Sequence, residues 1–125
     1  MNCYAKQQGQ LAEQAACDYL VQQGLALITK NYNCKAGEID LIMQDKNILV
    51  FVEVRYRKKT KYGSGIESIT KSKQQKIVRA AKYYLLENKL FDRIACRFDV
   101  VASAKDDEMT LLWLQDAFWG GWGRF

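Results

Sequence analysis

The side chains able to do chemistry in this chain are carboxylates, amines, guanidiniums and phenols, because its 125 residues include no histidine. Ser-His-Asp and Cys-His nucleophile systems, histidine general bases and histidine-bound zinc are therefore excluded. The four cysteines, Cys3, Cys17, Cys34 and Cys96, are scattered and form no Cys-x-x-Cys pair. They read as structural thiols, not as zinc ligands or a disulfide framework. Attention falls on two carboxylates, Asp40 and Glu53, each set in a run that alternates with strand periodicity.

Those runs are Ile39 to Gln44 and Leu49 to Arg55, joined by Asp45-Lys46-Asn47, which is turn chemistry. With the turn centred between Lys46 and Asn47, Met43 faces Val50, Leu41 faces Val52 and Ile39 faces Val54, an all-apolar side. On the other side Ile42 faces Phe51, Asp40 faces Glu53 and Glu38 faces Arg55. A one-residue slip sets valines against acids and spoils the apolar side. The other permitted register leaves Asp40 and Glu53 as diagonal neighbours, still converging. Opposed carboxylates with Cβ atoms about 5 Å apart repel unless a proton or a cation lies between them.

A hard divalent cation, Mg²⁺ or Mn²⁺, answers that repulsion, since it takes one or two carboxylates together with waters and phosphate oxygens. Such an ion activates water and stabilises charge on a phosphodiester. Arg55 shares the face and is placed to neutralise a phosphate oxygen. The plain alternative, a surface on which Glu38 simply pairs with Arg55, is equally compatible with the spacing.

The elements that must hold this hairpin follow from periodicity. A helix is expected over Gln7 to Gln23, with Leu11, Ala12, Ala15, Ala16, Tyr19 and Leu20 on one face and Gly24 as its C-terminal cap. A short strand follows, Leu25 to Thr29. After the hairpin, Tyr56 to Thr70 reads as a loop, and a second helix runs from Ser72 to Glu87 with Ile77, Ala80, Ala81, Tyr84 and Leu85 inward. Strands Cys96 to Ser103 and Met109 to Gln115 close the order α-β-β-β-α-β-β, an α/β arrangement of a central mixed sheet flanked by helices. Residues 1–125 read as a single domain, with 116–125 an aromatic and glycine-rich tail whose Trp119 and Trp122 pack on the body or stack on bases.

Charge points to a polyanion. From Arg55 to Lys82 there are ten basic side chains and one acid, Glu67, whereas the whole chain carries only +5. Arg57, Lys58, Lys59, Lys61, Lys71, Lys76 and Arg79 are the expected nucleic-acid contacts, tracking phosphates without reading bases. Lys71, Lys73 and Lys76 crowd a helix start, where the dipole disfavours cations, and a bound anion resolves that conflict. The start of the chain lacks a signal-type apolar core and no run approaches a membrane span, so a cytoplasmic protein with no membrane partner is expected.

Gly37-Glu38-Ile39-Asp40-Leu41-Ile42, then Leu49-Val50-Phe51-Val52-Glu53-Val54-Arg55, Ser72-Lys73-Gln74 and Arg97-Phe98-Asp99-Val100-Val101 together resemble the bacterial YraN family, over nearly the whole chain. That family is similar to the restriction-endonuclease-like superfamily and to Holliday-junction resolvases. The resemblance implies the restriction-endonuclease-like fold, Asp40 and Glu53 as metal ligands and Glu13 in support. Arg55 on the shared strand face, and Lys73 on the inward side of the second helix, are expected to stabilise the transition state. The resemblance also implies a nuclease acting on structured or branched DNA. Junction-cutting relatives act as symmetric dimers, so a homodimer is implied too, although no seam in the sequence marks its interface. One departure stands out: Arg55 occupies the superfamily's lysine position, and a guanidinium is a poor partner for activating water. A nucleic-acid-binding module that kept the fold but lost turnover therefore remains the alternative, with a protein-binding adaptor as a third reading.

Overall fold

The computed structural model describes residues 3–57, 69–105 and 109–118. Helix α1 spans Cys3–Gln22, and strands β1 (Ala26–Cys34), β2 (Gly37–Asp45) and β3 (Ile48–Arg57) follow. Helix α2 (Lys71–Glu87) and strands β4 (Ala95–Lys105) and β5 (Met109–Leu114) complete the expected order. The five strands form one sheet in sequence order, β1-β2-β3-β4-β5. All neighbours are antiparallel except β3 and β4, whose parallel pairing is the one that requires the α2 crossover. The sheet is therefore mixed, with a helix on each face.

The β2–β3 hairpin adopts the register expected from its pattern: Ile42 lies opposite Phe51, Leu41 opposite Val52 and Met43 opposite Val50. Its turn is the two residues Lys46-Asn47, with Lys46 in the left-handed region at φ 55°. Strand β3 is central and covered on both faces, which is why Leu49, Val50, Phe51 and Val52 are apolar without interruption and all buried. Odd-numbered Leu49 and Phe51 join Ile42, Phe98, Val100, Ile77, Ala81 and Leu85 under α2. Val50 and Val52 join Leu41, Met43, Val101, Ala16 and Leu20 under α1.

Several expectations need correction. Leu11 is 55% exposed, so the buried face of α1 is turned toward Ala12, Ala16, Cys17 and Leu20. Ile39 leaves the all-apolar side assigned to it: it packs under α2 while Leu41 packs under α1. Alternation therefore breaks between them. The break coincides with an irregular β1, which has a register shift between Leu27 and Thr29 and Asn31 at φ 53°. β1 is also longer than its Leu25–Thr29 signal, extending to Cys34 as an edge strand with Tyr32 opposite Ile39. Helix α2 starts one residue early because Thr70 is its N-cap, its hydroxyl accepting the Lys73 amide hydrogen at 3.1 Å. Gly24 does end α1, at φ 102°, and lets the Leu25 amide donate back to the Leu20 carbonyl.

The beginning of the tail docks on the body. The Ala117 amide donates to the Phe98 carbonyl at 2.7 Å, and Phe118 stacks on Phe98, which in turn stacks on Phe51. Trp119 and Trp122 lie outside the described residues. Cys17 and Cys96 are buried and Cys34 is half-buried. Among the described residues no helix is long and apolar enough to cross a membrane.

Candidate carboxylate site

Glu53 sits on β3 one step past the apolar run, on the side that faces α2, and is only 4% exposed. The ladder joining β2 to β3 makes its last pair at Leu41 and Val52. At the next step the Asp40 side chain takes over: its Oδ2 accepts the Val54 amide hydrogen at 2.8 Å. The Asp40 carboxylate thus ends the hairpin's backbone pairing and lies beside Glu53, itself 7% exposed. Gly37, at the start of β2, has φ 149°, a backbone setting side-chain-bearing residues rarely adopt. A Cβ there would meet the Lys76 Cβ at 3.6 Å, so β2 runs close under α2 as it enters the site.

Electrostatics at this point are frustrated. Burial pushes the Glu53 carboxyl up to about 8, helped by the Asp40 charge and by a hydrogen bond with Asp40. Lys73 and Arg55 pull it the other way. Lys73 Nζ stands 3.8 Å from Glu53 Oε2 and Arg55 Nη1 stands 3.4 Å from the same oxygen. Arg55 is thus turned to Glu53, while Glu38 lies on the α1 side with Glu13. Lys73 is in the first turn of α2, which brings that helix's positive end toward the buried acid and explains why a lysine is tolerated there.

Glu13 approaches from α1. It is half-buried, and its carboxyl is held above the ordinary range by burial and then by the charges of Asp40 and Glu38. A hydrogen bond from Asn31 and the charge of Lys30 oppose that rise. Gly9, Gln10, Glu13, Asn31, Asn33 and Glu38 line an open cleft of about 540 Å³ beside it. Asp40 is therefore the acid felt from both sides, by Glu53 and by Glu13. Of the predicted residues, the structure brings Asp40, Glu53, Arg55 and Lys73 together, with Glu13 at the margin.

The donor set fits a hard divalent cation. It is made of oxygen, it is buried, and at neutral pH it holds a proton that a cation would displace. Among the described residues no three acids or thiols close around a single point. Asp40 and Glu53 would thus supply two protein ligands, leaving the remaining positions to water and phosphate. That is the usual balance for Mg²⁺.

The basic surface divides. Lys71, Lys76 and Arg79 are exposed on α2, where a polyanion can reach them. Arg57 ends β3, but the placement of its side chain, and of Lys58, Lys59 and Lys61 altogether, lies outside the described residues. Sequence reasoning missed three supporting contacts: the Val54 amide on Asp40, Asn31 on Glu13, and Thr70 capping the helix that carries Lys73. Thr70 two residues ahead of Ser72 was a legible capping signal, and an asparagine is among the side chains that tolerate φ 53°.

Comparison with known proteins agrees with the pattern. Residues 12–102 match the uncharacterised protein family UPF0102. A UPF0102 protein of Saccharophagus degradans is 50% identical over 110 residues, covering 88% of this chain and 91% of its own. One from Nitrosococcus oceani is 46% identical over 114 residues, covering 90% and 92%. One from Legionella pneumophila is 44% identical over 117 residues, covering 93% and 98%. The matched span includes Glu13, Asp40, Glu53, Arg55 and Lys73, and the chain belongs to the UPF0102 family.

Proposed function

We propose that this UPF0102 family member is a metal-dependent nuclease that hydrolyses phosphodiester bonds of structured or branched DNA. The observation that carries the reading is the buried Asp40–Glu53 pair, two acids pressed together with Lys73 and Arg55 on the same oxygen. Such a pair is unfavourable for stability alone and becomes favourable when a divalent cation joins it. Asp40 and Glu53 would hold Mg²⁺ or Mn²⁺, which supplies an activated water and Lewis-acid stabilisation of the phosphate when bound.

The chain's own groups do the rest. Asp40 is oriented by the Val54 amide, so its carboxylate cannot swing away from Glu53. Lys73 and Arg55, which share one Glu53 oxygen, would turn their charge on the phosphate oxygens if Glu53 served as a metal ligand. Arg55 stays protonated throughout and acts as a charge, not as a base. Glu13, whose carboxyl is raised above its ordinary range by burial and then by the charges of Asp40 and Glu38, would be placed to contact the attacking water. The exposed Lys71, Lys76 and Arg79 grip the backbone beyond the scissile bond.

The test is cleavage of labelled duplex, single-stranded and four-way-junction DNA in Mg²⁺ or Mn²⁺, with Glu53→Ala in parallel. Metal-dependent cutting that disappears in the variant supports the reading. Junction binding without cutting of any substrate supports the second reading, a nucleic-acid-binding module that retained the fold. Arg55 in the lysine position is the observation that favours this second reading, and Arg55→Lys then becomes the variant to assay for restored turnover.

A further inference from the structure

The outer face of α2 breaks the amphipathic rule that its inner face obeys. Tyr83 and Leu86, 44% and 53% exposed, lie one turn apart and only about 60° from each other around the helix at ~100° per residue. Lys73, which faces Glu53, lies about 140° away around the helix and roughly 20 Å along it from Leu86. The patch is therefore separate from the carboxylate site.

Leu86 is shared by two adjoining hollows. One, of about 330 Å³, is lined by Arg79, Lys82, Tyr83 and Leu86. The other, of about 320 Å³, is lined by Leu86, Lys89, Phe91 and Arg93. Each has an apolar floor and two cations at its rim. Of the nearby acids, Glu87 accepts the Tyr32 hydroxyl at 2.6 Å, and Asp92 is exposed in the turn after α2. Four cations against these two acids leave the surroundings of Leu86 net positive.

We propose that this double hollow is a docking site for an acidic peptide segment of a partner protein, with a large apolar side chain seated over Leu86 and flanking Asp or Glu residues paired to Lys82, Lys89 and Arg93. Charge complementarity selects an anion. The side chain common to both hollows is Leu86, which favours a peptide over a nucleic acid because a leucine gives a base no plane to stack on, and Tyr83 offers a ring in one hollow only. Lys82 Nζ also lies 5.7 Å from the Phe91 ring centroid, covering one face that a base would need. An apolar anchor inside a ring of charge is the usual anatomy of peptide recognition.

The experiment is fluorescence anisotropy on the full chain with three probes. The first is a labelled twelve-residue Asp/Glu-rich peptide carrying one central Phe, the second is the same peptide with Phe replaced by Ser, and the third is a single-stranded oligonucleotide. Leu86→Gln and Arg93→Gln are the variants, with thermal melts confirming that both fold. The Phe peptide is expected to bind the unaltered chain and to lose at least tenfold in affinity with either variant, while the Ser peptide binds at least tenfold more weakly. Oligonucleotide affinity is expected to stay within twofold in Leu86→Gln. Absence of Phe-peptide binding, equal binding of the two peptides, or unchanged binding in Leu86→Gln overturns the proposal. A parallel loss of oligonucleotide affinity in Leu86→Gln assigns the hollow to nucleic acid and overturns it as well. None of these outcomes depends on whether the carboxylate site cleaves DNA.

Discussion

Two buried acids occupy neighbouring strands almost side by side, and the protein treats them oppositely. In the parallel β3–β4 pair Val52 lies beside Asp99 and Glu53 beside Val100, so Glu53 points under α2 and Asp99 under α1. Asp99 is wholly buried and fully partnered. Its Oδ1 accepts from Arg97 Nε at 3.0 Å and from the Asp116 amide at 2.9 Å, and its Oδ2 accepts from Trp113 Nε1 at 2.9 Å. Arg97 reaches on to Asp45 at 3.1 Å, tying the hairpin turn to β4. Trp113 meets Tyr19 of α1 edge to face. Glu53 instead meets another carboxylate, with its two cations at 3.4 and 3.8 Å. An acid that is buried and satisfied holds the fold together. An acid that is buried and opposed by a like charge holds its proton to unusually high pH and marks a candidate functional position.

The contrast is broken most sharply by deleting each acid in turn. Asp99→Ala leaves the Arg97 guanidinium buried without its main counter-charge, and a loss of about 3–5 kcal/mol is expected. A urea unfolding midpoint reads it directly, and an unchanged midpoint would deny Asp99 its structural role. Glu53→Gln should keep or raise stability at pH 8 while lowering DNA cleavage at least about a hundredfold. A variant that both unfolds and loses activity would place Glu53 in the same class as Asp99.

Stability against pH sharpens the same point. Glu53 keeps its proton in the fold until about pH 8, whereas the unfolded chain releases it near 4.5. The folded state thus binds more protons between those values, so stability falls as pH rises through that window, by at most about 1.4 kcal/mol per unit. Thermal melts in metal-free buffer should show that decline, and Glu53→Gln should flatten it. Adding Mg²⁺ should raise the melting temperature more at pH 8 than at pH 5, since the cation must displace the proton.

Smaller effects lie further from the pair. Lys73→Ala should lower kcat by about a hundredfold with little change in KM, as expected for charge stabilisation at the reacting phosphate. An equal change in KM alone would move Lys73 to the binding surface. Lys76→Ala and Arg79→Ala should each weaken DNA binding a few-fold and reduce the salt slope by about 0.9 for every phosphate no longer neutralised. Titrations at several salt concentrations separate that outcome from a structural one.

Much of the architecture was legible because it follows from period and register. The hairpin pairing of Ile42 with Phe51 came from alternation and a two-residue turn, and the inner face of α2 from helical spacing. The meeting of Asp40 with Glu53 was legible for the same reason. What alternation could not carry was its own interruption: Asn31 in the left-handed region and the irregular β1 send Ile39 to the other face from Leu41. Leu11 misled because helical period marks a hydrophobic stripe but not which edge of it tertiary packing selects. The Asp99–Arg97–Trp113 network joins β4 to the strand after it and Asp45 from a distant turn, contacts that no local pattern encodes.

The most direct test of the central claim is calorimetric titration of Mn²⁺ into the full chain at pH 7.5, repeated in buffers of different ionisation enthalpy and with Glu53→Gln. One Mn²⁺ is expected to bind with release of a proton, and that binding is expected to be lost in the variant while its fold is retained. Equal Mn²⁺ binding by both proteins, or no binding by either, would contradict the assignment of Asp40 and Glu53 as a metal-holding pair.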